Sequence, residues 1–171
     1  AGTVSRGSLS VVEVAFGATG HNPHYGAVHH PWNVDHMTGG SSSGSGSAVA
    51  ARLTFAALGS DTGGSIRMPA HFCGVTGLKT SVGLVSRAGV IPLAANFDTP
   101  GPMGRNVIDA ALVLGAIAAS DPKDPQTAGA ASHLPPGGDY TALLKPDAVK
   151  GVRIGYDSGG PCGRFTPAPA P

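Results

Sequence analysis

The chain has 171 residues, the length of one domain, which leaves little room for a second independent core. Gly (27) and Pro (15) together make about a quarter of it, yet 41% of the residues are hydrophobic, so a core can form and global disorder is disfavoured. Charged residues make up only 12%, and a net charge of +1 argues against an electrostatic nucleic-acid binder. One Glu, Glu13, against nine Asp leaves few carboxylates for a paired general acid and base. Cys73 and Cys162 lie far apart in a chain too large for a disulfide scaffold and are expected as free thiols in a reducing cytoplasm. The longest apolar run, Ala110–Ala119, is well short of a membrane span. The first residues carry neither an initiator Met nor a charged-then-apolar signal pattern, so the expectation is an internal piece of a longer polypeptide.

In chain order, Leu9–Phe16 is a short apolar stretch of ambiguous period, and Gly17–Thr38 reads as a long surface loop rich in turn residues. Gly39–Ser47 is a Gly/Ser tract that could pass for a flexible linker. It leads instead into Ala48–Leu58, rich in Ala and Leu and nearly free of charge, which predicts a buried helix. A second Gly-rich turn, Gly59–Pro69, follows. Two Gly-rich turns therefore flank one short helix and would lie close together if that helix packs across a sheet edge. Gly83–Ser86 reads as a short strand. Asn106 is a candidate N-cap, with Asp109 in the first turn and Ala110–Ser120 as the helix body. Asp121–Pro125 is expected to end that helix, Ala128–Gly138 to be loop and Gly151–Tyr156 to be a strand. Strands interleaved with helices predict an α/β class, with residues 1–157 as one partial domain and 158–171 as a Gly/Pro/Ala-rich disordered tail.

Several motifs match by letter only. Gly40–Gly44 fits the nucleophile-elbow pattern, but no hydrophobic strand precedes it. Ser120–Lys123 fits S-x-x-K, but contains a Pro in a helix-stop context. His21, His24, His29, His30 and His36 share one loop, yet their spacings fit no zinc pattern and no Cys lies among them. Neither a P-loop nor a dinucleotide-binding spacing occurs. Arg67 is expected to brace the turn by pairing with Asp61 rather than to bind a substrate carboxylate. Ser65 carries the most chemistry: the run Thr62-Gly63-Gly64-Ser65 offers consecutive unobstructed N–H groups, as an oxyanion hole requires. A serine hydroxyl needs a base or proton relay beside it, and the other Ser-dense loop is the obvious supplier. On composition alone, two purely structural turns remain the alternative.

The stretch Gly39–Ser45, the Ala-rich segment after it and Ala57–Ala70 together resemble the signature of the amidase signature family. Phe16–Pro23, Pro31–Asn33, Phe72–Lys79, Ser86–Gly89 and Asp98–Met103 extend the likeness over about residues 11 to 157. The resemblance implies a mixed β-sheet flanked by helices, here incomplete at both ends, and hydrolysis or transfer of carboxamides through a Ser–Ser–Lys triad. Ser65 would be the acyl-forming nucleophile. Ser41 would be the proton relay on a cis Gly40–Ser41 peptide, a geometry that Gly at the preceding position eases. The amides of Thr62, Gly63, Gly64 and Ser65 would form the oxyanion hole, with Gly40, Ser43, Asp61 and Arg67 in support. No metal or organic cofactor is implied.

The departures are equally specific. The family's base is a Lys upstream of the serine loop, whereas Lys79, Lys123, Lys145 and Lys150 all follow Ser65, and Lys79 belongs to another family segment. Gly7-Ser8-Leu9-Ser10 stands where many members read Gly-Lys-Thr-Asn. The expectation is a central fragment of a cytoplasmic serine amidohydrolase. Its partner would be a small-molecule amide, with a homodimer as an allowed assembly and neither nucleic acid nor membrane implied. The alternatives are the amidase component of a glutamyl-tRNA(Gln) amidotransferase and a catalytically inactive fragment lacking its base. Asp98–Pro102 leans towards the stand-alone amidase.

Overall fold

A computed structural model describes residues 5–153. The proposed tail and residues 154–156 of the expected last strand lie outside the described residues, and Gly151–Arg153 is not extended into a strand. The architecture is mixed α/β. A hairpin of two short strands, β1 (His21–Asn22) and β2 (Gly26–Ala27), interrupts the long N-terminal loop. A three-stranded antiparallel sheet has the order β3 (Ala56–Asp61), β5 (Thr99–Gly104), β4 (Thr76–Gly77), with helices α1 (Ser43–Ala50), α2 (Arg67–Cys73) and α3 (Val107–Ile117) packed around it.

The expected Ala48–Leu58 helix divides. Helix α1 starts inside the Gly/Ser tract and stops at Ala50, and Ala56–Asp61 is strand. Burial outweighs propensity here: Ser and Gly are weak helix formers, but most helical stability comes from tertiary packing. All of α1 except Ser47 is buried. Its small side chains permit close approach, because a Cβ on Gly44 would lie 2.6 Å from the Ser10 backbone nitrogen and one on Gly46 3.0 Å from the Pro69 carbonyl oxygen.

Strand β5 carries Pro100 and Pro102 although it is the central strand, a position where proline normally deletes ladder hydrogen bonds. The pairing shows why it is tolerated. The Pro102 carbonyl accepts from the Leu78 N–H (3.0 Å) and the Pro100 carbonyl from the Thr80 hydroxyl (2.9 Å), so both prolines face the β4 side. Strand β4 is only two residues long there and asks for no donor from either. Thr99, Gly101 and Met103 face β3, in a register running from Ala56↔Gly104 to Asp61↔Thr99.

The core forms two clusters. Ile66, Ala70 and Met103, with Val75 against them, join α2 to β5. Val85, Leu114 and Ala118, with Leu84 and Tyr140, hold α3 to loops that precede and follow it in the chain. The Asn106 side chain caps α3 by accepting the Asp109 N–H at 2.9 Å, as read from the sequence. The helix ends at Ile117, earlier than expected, because Ala118 leaves it to bridge Val85. That bridge is all that forms in place of the expected Gly83–Ser86 strand. The expected loop at Ala128–Gly138 is largely 3₁₀-helical, over Pro125–His133 and Pro136–Gly138. Asp124 starts the first of these by accepting the Gln126 N–H, with Pro125 pre-set for the first turn. Among the described residues no helix is long and apolar enough to cross a membrane. A hollow of about 760 Å³ runs along the outer side of β3, lined in part by Leu9, Leu53, Phe55 and Ile117; neither Ser41 nor Ser65 borders it.

A Cβ at Gly101 would stand 2.2 Å from the Leu78 carbonyl oxygen and 3.0 Å from Ile66 Cδ1. Gly101→Ala is therefore expected to cost about 1–3 kcal/mol by overpacking. Gly129→Ala, where a Cβ would meet nothing within 4 Å, should be neutral or stabilising by up to about 1 kcal/mol. Urea midpoints of the two variants, expressed from the native gene, check the contrast; equal midpoints would contradict it.

Candidate active site

The two Gly-rich turns do meet. The Ser42 N–H donates to the Ser65 carbonyl at 3.1 Å, which ties the serine loop directly to the turn after β3. The serine hydroxyls at the start of α1 reinforce the tie. Ser42 Oγ accepts from the Ser60 N–H (3.2 Å) and donates to the Ser60 carbonyl (3.3 Å), and Ser45 Oγ donates to the Leu58 carbonyl (2.7 Å). Residues 58 and 60 face away from β5, so these hydroxyls satisfy the open edge of β3.

Asp61, at the end of β3, organises the turn. Its side chain is fully buried, and five donors converge on it. Oδ1 accepts the Gly64 N–H (2.8 Å) and Arg67 Nη2 (3.1 Å). Oδ2 accepts the Ile66 N–H (3.0 Å), the Arg67 N–H (3.2 Å) and Arg67 Nε (3.1 Å). Burial pushes this carboxyl up. The Arg67 guanidinium and the three amides outweigh it and hold the group below the usual carboxylate range. The expected Asp61–Arg67 brace is thus present, as a bidentate pair.

Of the four predicted oxyanion amides, Gly64 is committed to Asp61, while no acceptor among the described residues takes the Thr62, Gly63 or Ser65 N–H. Gly64 has φ +142°, a conformation that side-chain-bearing residues rarely adopt. Ser65 is half-buried just before α2. Ser41 is fully buried on a cis Gly40–Ser41 peptide, and its Oγ has no hydrogen-bond partner among the described residues. Its carbonyl is engaged by the Val12 N–H (3.0 Å) and the Ser43 hydroxyl (3.4 Å). Gly40 packs so closely on the preceding segment that a Cβ would meet the Gly17 carbonyl oxygen at 2.5 Å.

Two contacts to this turn go beyond what the residue pattern indicated. The Thr62 hydroxyl donates to Asp98, whose other oxygen accepts the Leu93 (2.8 Å) and Ala94 (2.9 Å) amides. Burial raises the Asp98 carboxyl, and these hydrogen bonds bring it below its ordinary range. Lys79 Nζ donates to the Asp61 carbonyl (2.7 Å), the Phe97 carbonyl (2.9 Å) and Thr99 Oγ1 (3.1 Å), so all three of its protons are placed. The one available signal was a lone cation in the otherwise uncharged run Phe72–Ser86.

The loop histidines form no group of three metal-ligating side chains among the described residues. His24 meets Glu13 at 3.0 Å, and His30 Nε2 donates to the Phe72 carbonyl at 2.9 Å. Beside it the Trp32 indole donates to the Cys73 carbonyl at 2.8 Å, so this loop straps the C-terminus of α2. Cys73 is a free, buried thiol that burial pushes up to about 11, while Cys162 lies outside the described residues.

A partly exposed serine beside free backbone amides, linked to a second serine with an unpartnered hydroxyl, is the equipment of nucleophilic acyl transfer. The sequence profile of the Amidase family matches residues 1–169, and the chain belongs to that family. It is 52% identical over 155 residues to a glutamyl-tRNA(Gln) amidotransferase subunit of Thermosynechococcus vestitus, covering 91% of this chain and 31% of that protein. The corresponding protein of Neisseria meningitidis is 47% identical over 154 residues, with 90% and 31% covered. Native peptide amidase from Stenotrophomonas maltophilia superposes with a TM-score of 0.76 at 44% identity, over 85% of this chain and 30% of that one. The same glutamyl-tRNA(Gln) amidotransferase component from Thermotoga maritima gives 0.69 at 42%, over 71% and 27%. The chain thus spans about three tenths of the length of the curated relatives it matches.

Because the Asp61 carboxyl lies below its unfolded value of about 3.9, its contribution to stability is complete above that pH and is lost as pH falls through the lower folded value. Asp61→Asn is expected to lower stability at neutral pH and to flatten the acid limb of the stability curve. Urea unfolding of both proteins between pH 2 and 7 checks it; parallel acid limbs would contradict it.

Proposed function

We propose that the protein carrying this chain is a serine amidohydrolase. Ser65 Oγ attacks the carbonyl carbon of a carboxamide, and the developing oxyanion is received by the Thr62, Gly63 and Ser65 N–H groups. The Ser65 proton passes through Ser41 to a base and is returned to the departing nitrogen as the C–N bond breaks. Water then adds to the acyl-Ser65 ester and releases the carboxylate and free serine. The observation that carries this reading is the Ser41 hydroxyl, which is fully buried, unpartnered among the described residues and joined through Ser42 to Ser65. A buried polar group without a partner is costly unless a function or a missing partner accounts for it. The partner implied by the family resemblance is a lysine, and Lys79, with its three protons on other acceptors, is not available for that role.

The test is hydrolysis of a panel of aryl and aliphatic amides by the native gene product, with intact-mass labelling by a phosphonate. Ser65→Ala should abolish turnover and labelling, and Ser41→Ala should lower kcat about 10²–10⁴-fold, the span typical of a proton-transfer group. Residues 1–171 alone should show negligible turnover. Labelling that survives Ser65→Ala, or hydrolysis indifferent to Ser41→Ala, would overturn the assignment.

A second reading, the amidase component of a glutamyl-tRNA(Gln) amidotransferase, is favoured by the identity to those proteins. It differs in assembly and substrate. Glutaminase activity and co-purification with unlike subunits would support it, whereas a homodimer hydrolysing simple amides would support the stand-alone enzyme.

A further inference from the structure

The Asp61–Thr62 peptide is loaded on one side only. Its carbonyl oxygen receives the Lys79 ammonium at 2.7 Å and the Thr99 hydroxyl at 3.1 Å, while Lys79 also donates to that same hydroxyl at 3.1 Å. Lys79 Nζ lies 3.8 Å from Asp61 Oδ1 as well, and Thr99 is almost wholly buried. The nitrogen of this peptide unit is Thr62 N, whose proton has no acceptor among the described residues. In a trans peptide the N–H points opposite to the C=O. A cation on the oxygen therefore fixes the direction of the N–H on the other side. It also draws electron density through the amide, because hydrogen bonds in a chain polarise one another.

We propose that Lys79 is a positioning residue of the oxyanion turn, acting through the Asp61–Thr62 peptide to orient and strengthen the Thr62 N–H as a donor to the transition state. Thr99 is the second member of the device, since its hydroxyl sits between the ammonium and the same carbonyl. This rests on the reading of Ser65 and the turn amides given above. It assigns a role in amide chemistry to a lysine that is not the base, and it separates binding of the transition state from binding of the ground state. An oxyanion donor acts where charge develops, so weakening one lowers kcat with little change in KM.

The experiment uses the native gene product with Lys79→Met, Lys79→Arg and Thr99→Val. Three quantities are read: kcat and KM on an aryl amide, inhibition by an aryl boronic acid, which forms a tetrahedral anion on the nucleophilic serine, and inhibition by the carboxylate product. Lys79→Met is expected to lower kcat and weaken the boronate by the same factor. That factor should be about tenfold, smaller than the 10²–10³ lost when an oxyanion donor is removed outright. KM and product inhibition should hold. Lys79→Arg should recover part of both losses, and Thr99→Val should move them in the same direction by less. A folded Lys79→Met enzyme with unchanged kcat and boronate affinity would overturn the proposal. So would a loss shared equally by boronate and product, which would mark a merely structural lysine. If Lys79→Met does not fold, Thr99→Val decides: unchanged boronate affinity there overturns the proposal. A wild-type protein that neither hydrolyses amides nor labels at Ser65 would remove the underlying reading as well. An active, labelled wild type indifferent to Lys79 and Thr99 removes this inference alone.

Discussion

A carboxylate taken wholly out of water at Asp61 has to be satisfied by fixed donors, and that requirement shapes everything around it. Five N–H groups within 3.2 Å supply the need, three of them backbone amides from Gly64, Ile66 and Arg67. Turning those amides inward curls the chain around the carboxylate and leaves the Thr62, Gly63 and Ser65 N–H groups without acceptors among the described residues. The proposed nucleophile, Ser65, and its proposed donors are thus placed by one electrostatic constraint. The Arg67 side chain is half exposed, yet its fork supplies two of the five contacts and keeps the charge balanced at the buried end.

The serine tract answers a different need. Among the described residues strand β3 has one strand neighbour, so alternate peptide groups on its outer edge lack ladder partners there. Ser42 and Ser45 reach those groups with side-chain oxygens, doing at Ser60 and Leu58 what a neighbouring strand would do. This accounts for a helix built from Ser, Gly and Ala with one Val: the hydroxyls must sit next to the strand, and small residues let α1 come that close. Ser43 and Ser47 donate to the Ser41 and His29 carbonyls instead, and the buried Ser41 hydroxyl alone in the tract has no partner among the described residues.

How much of this was visible in the residues varied with the kind of interaction. Local chemistry was legible: the Asn106 cap and the Asp61–Arg67 pair follow from short-range rules, whereas the meeting of the two Gly-rich turns was readable only on the condition of a packed helix between them, and α1 and β3 stand there instead. The boundary between α1 and β3 was not, because Ala-rich sequence favours helix while tertiary burial and the close approach to Ser10 decided otherwise. Strand β5 was hidden by its two prolines, which count against a strand until the side they face is known. Lys79 and Asp98 stayed silent because Lys79 meets mainly backbone carbonyls and Asp98 meets residue 62 and loop amides, groups that residue type does not announce. A second ion pair, Arg87 with Asp124 at 2.9 Å, escaped for a similar reason, joining loops 37 residues apart.

Those two prolines have a consequence for how the chain finds its alignment. Sliding β5 by one residue against β3 would turn both proline nitrogens towards β3, where ladder donors are needed, and would carry Met103 off the face it shares with Ile66 and Ala70. A slip by two would restore the facing but move Thr99 away from the Asp61 carbonyl. The sheet therefore reads like a key cut with two teeth: its missing hydrogens exclude every odd offset, and among the even ones the contact of the buried threonine with the Asp61 carbonyl selects one.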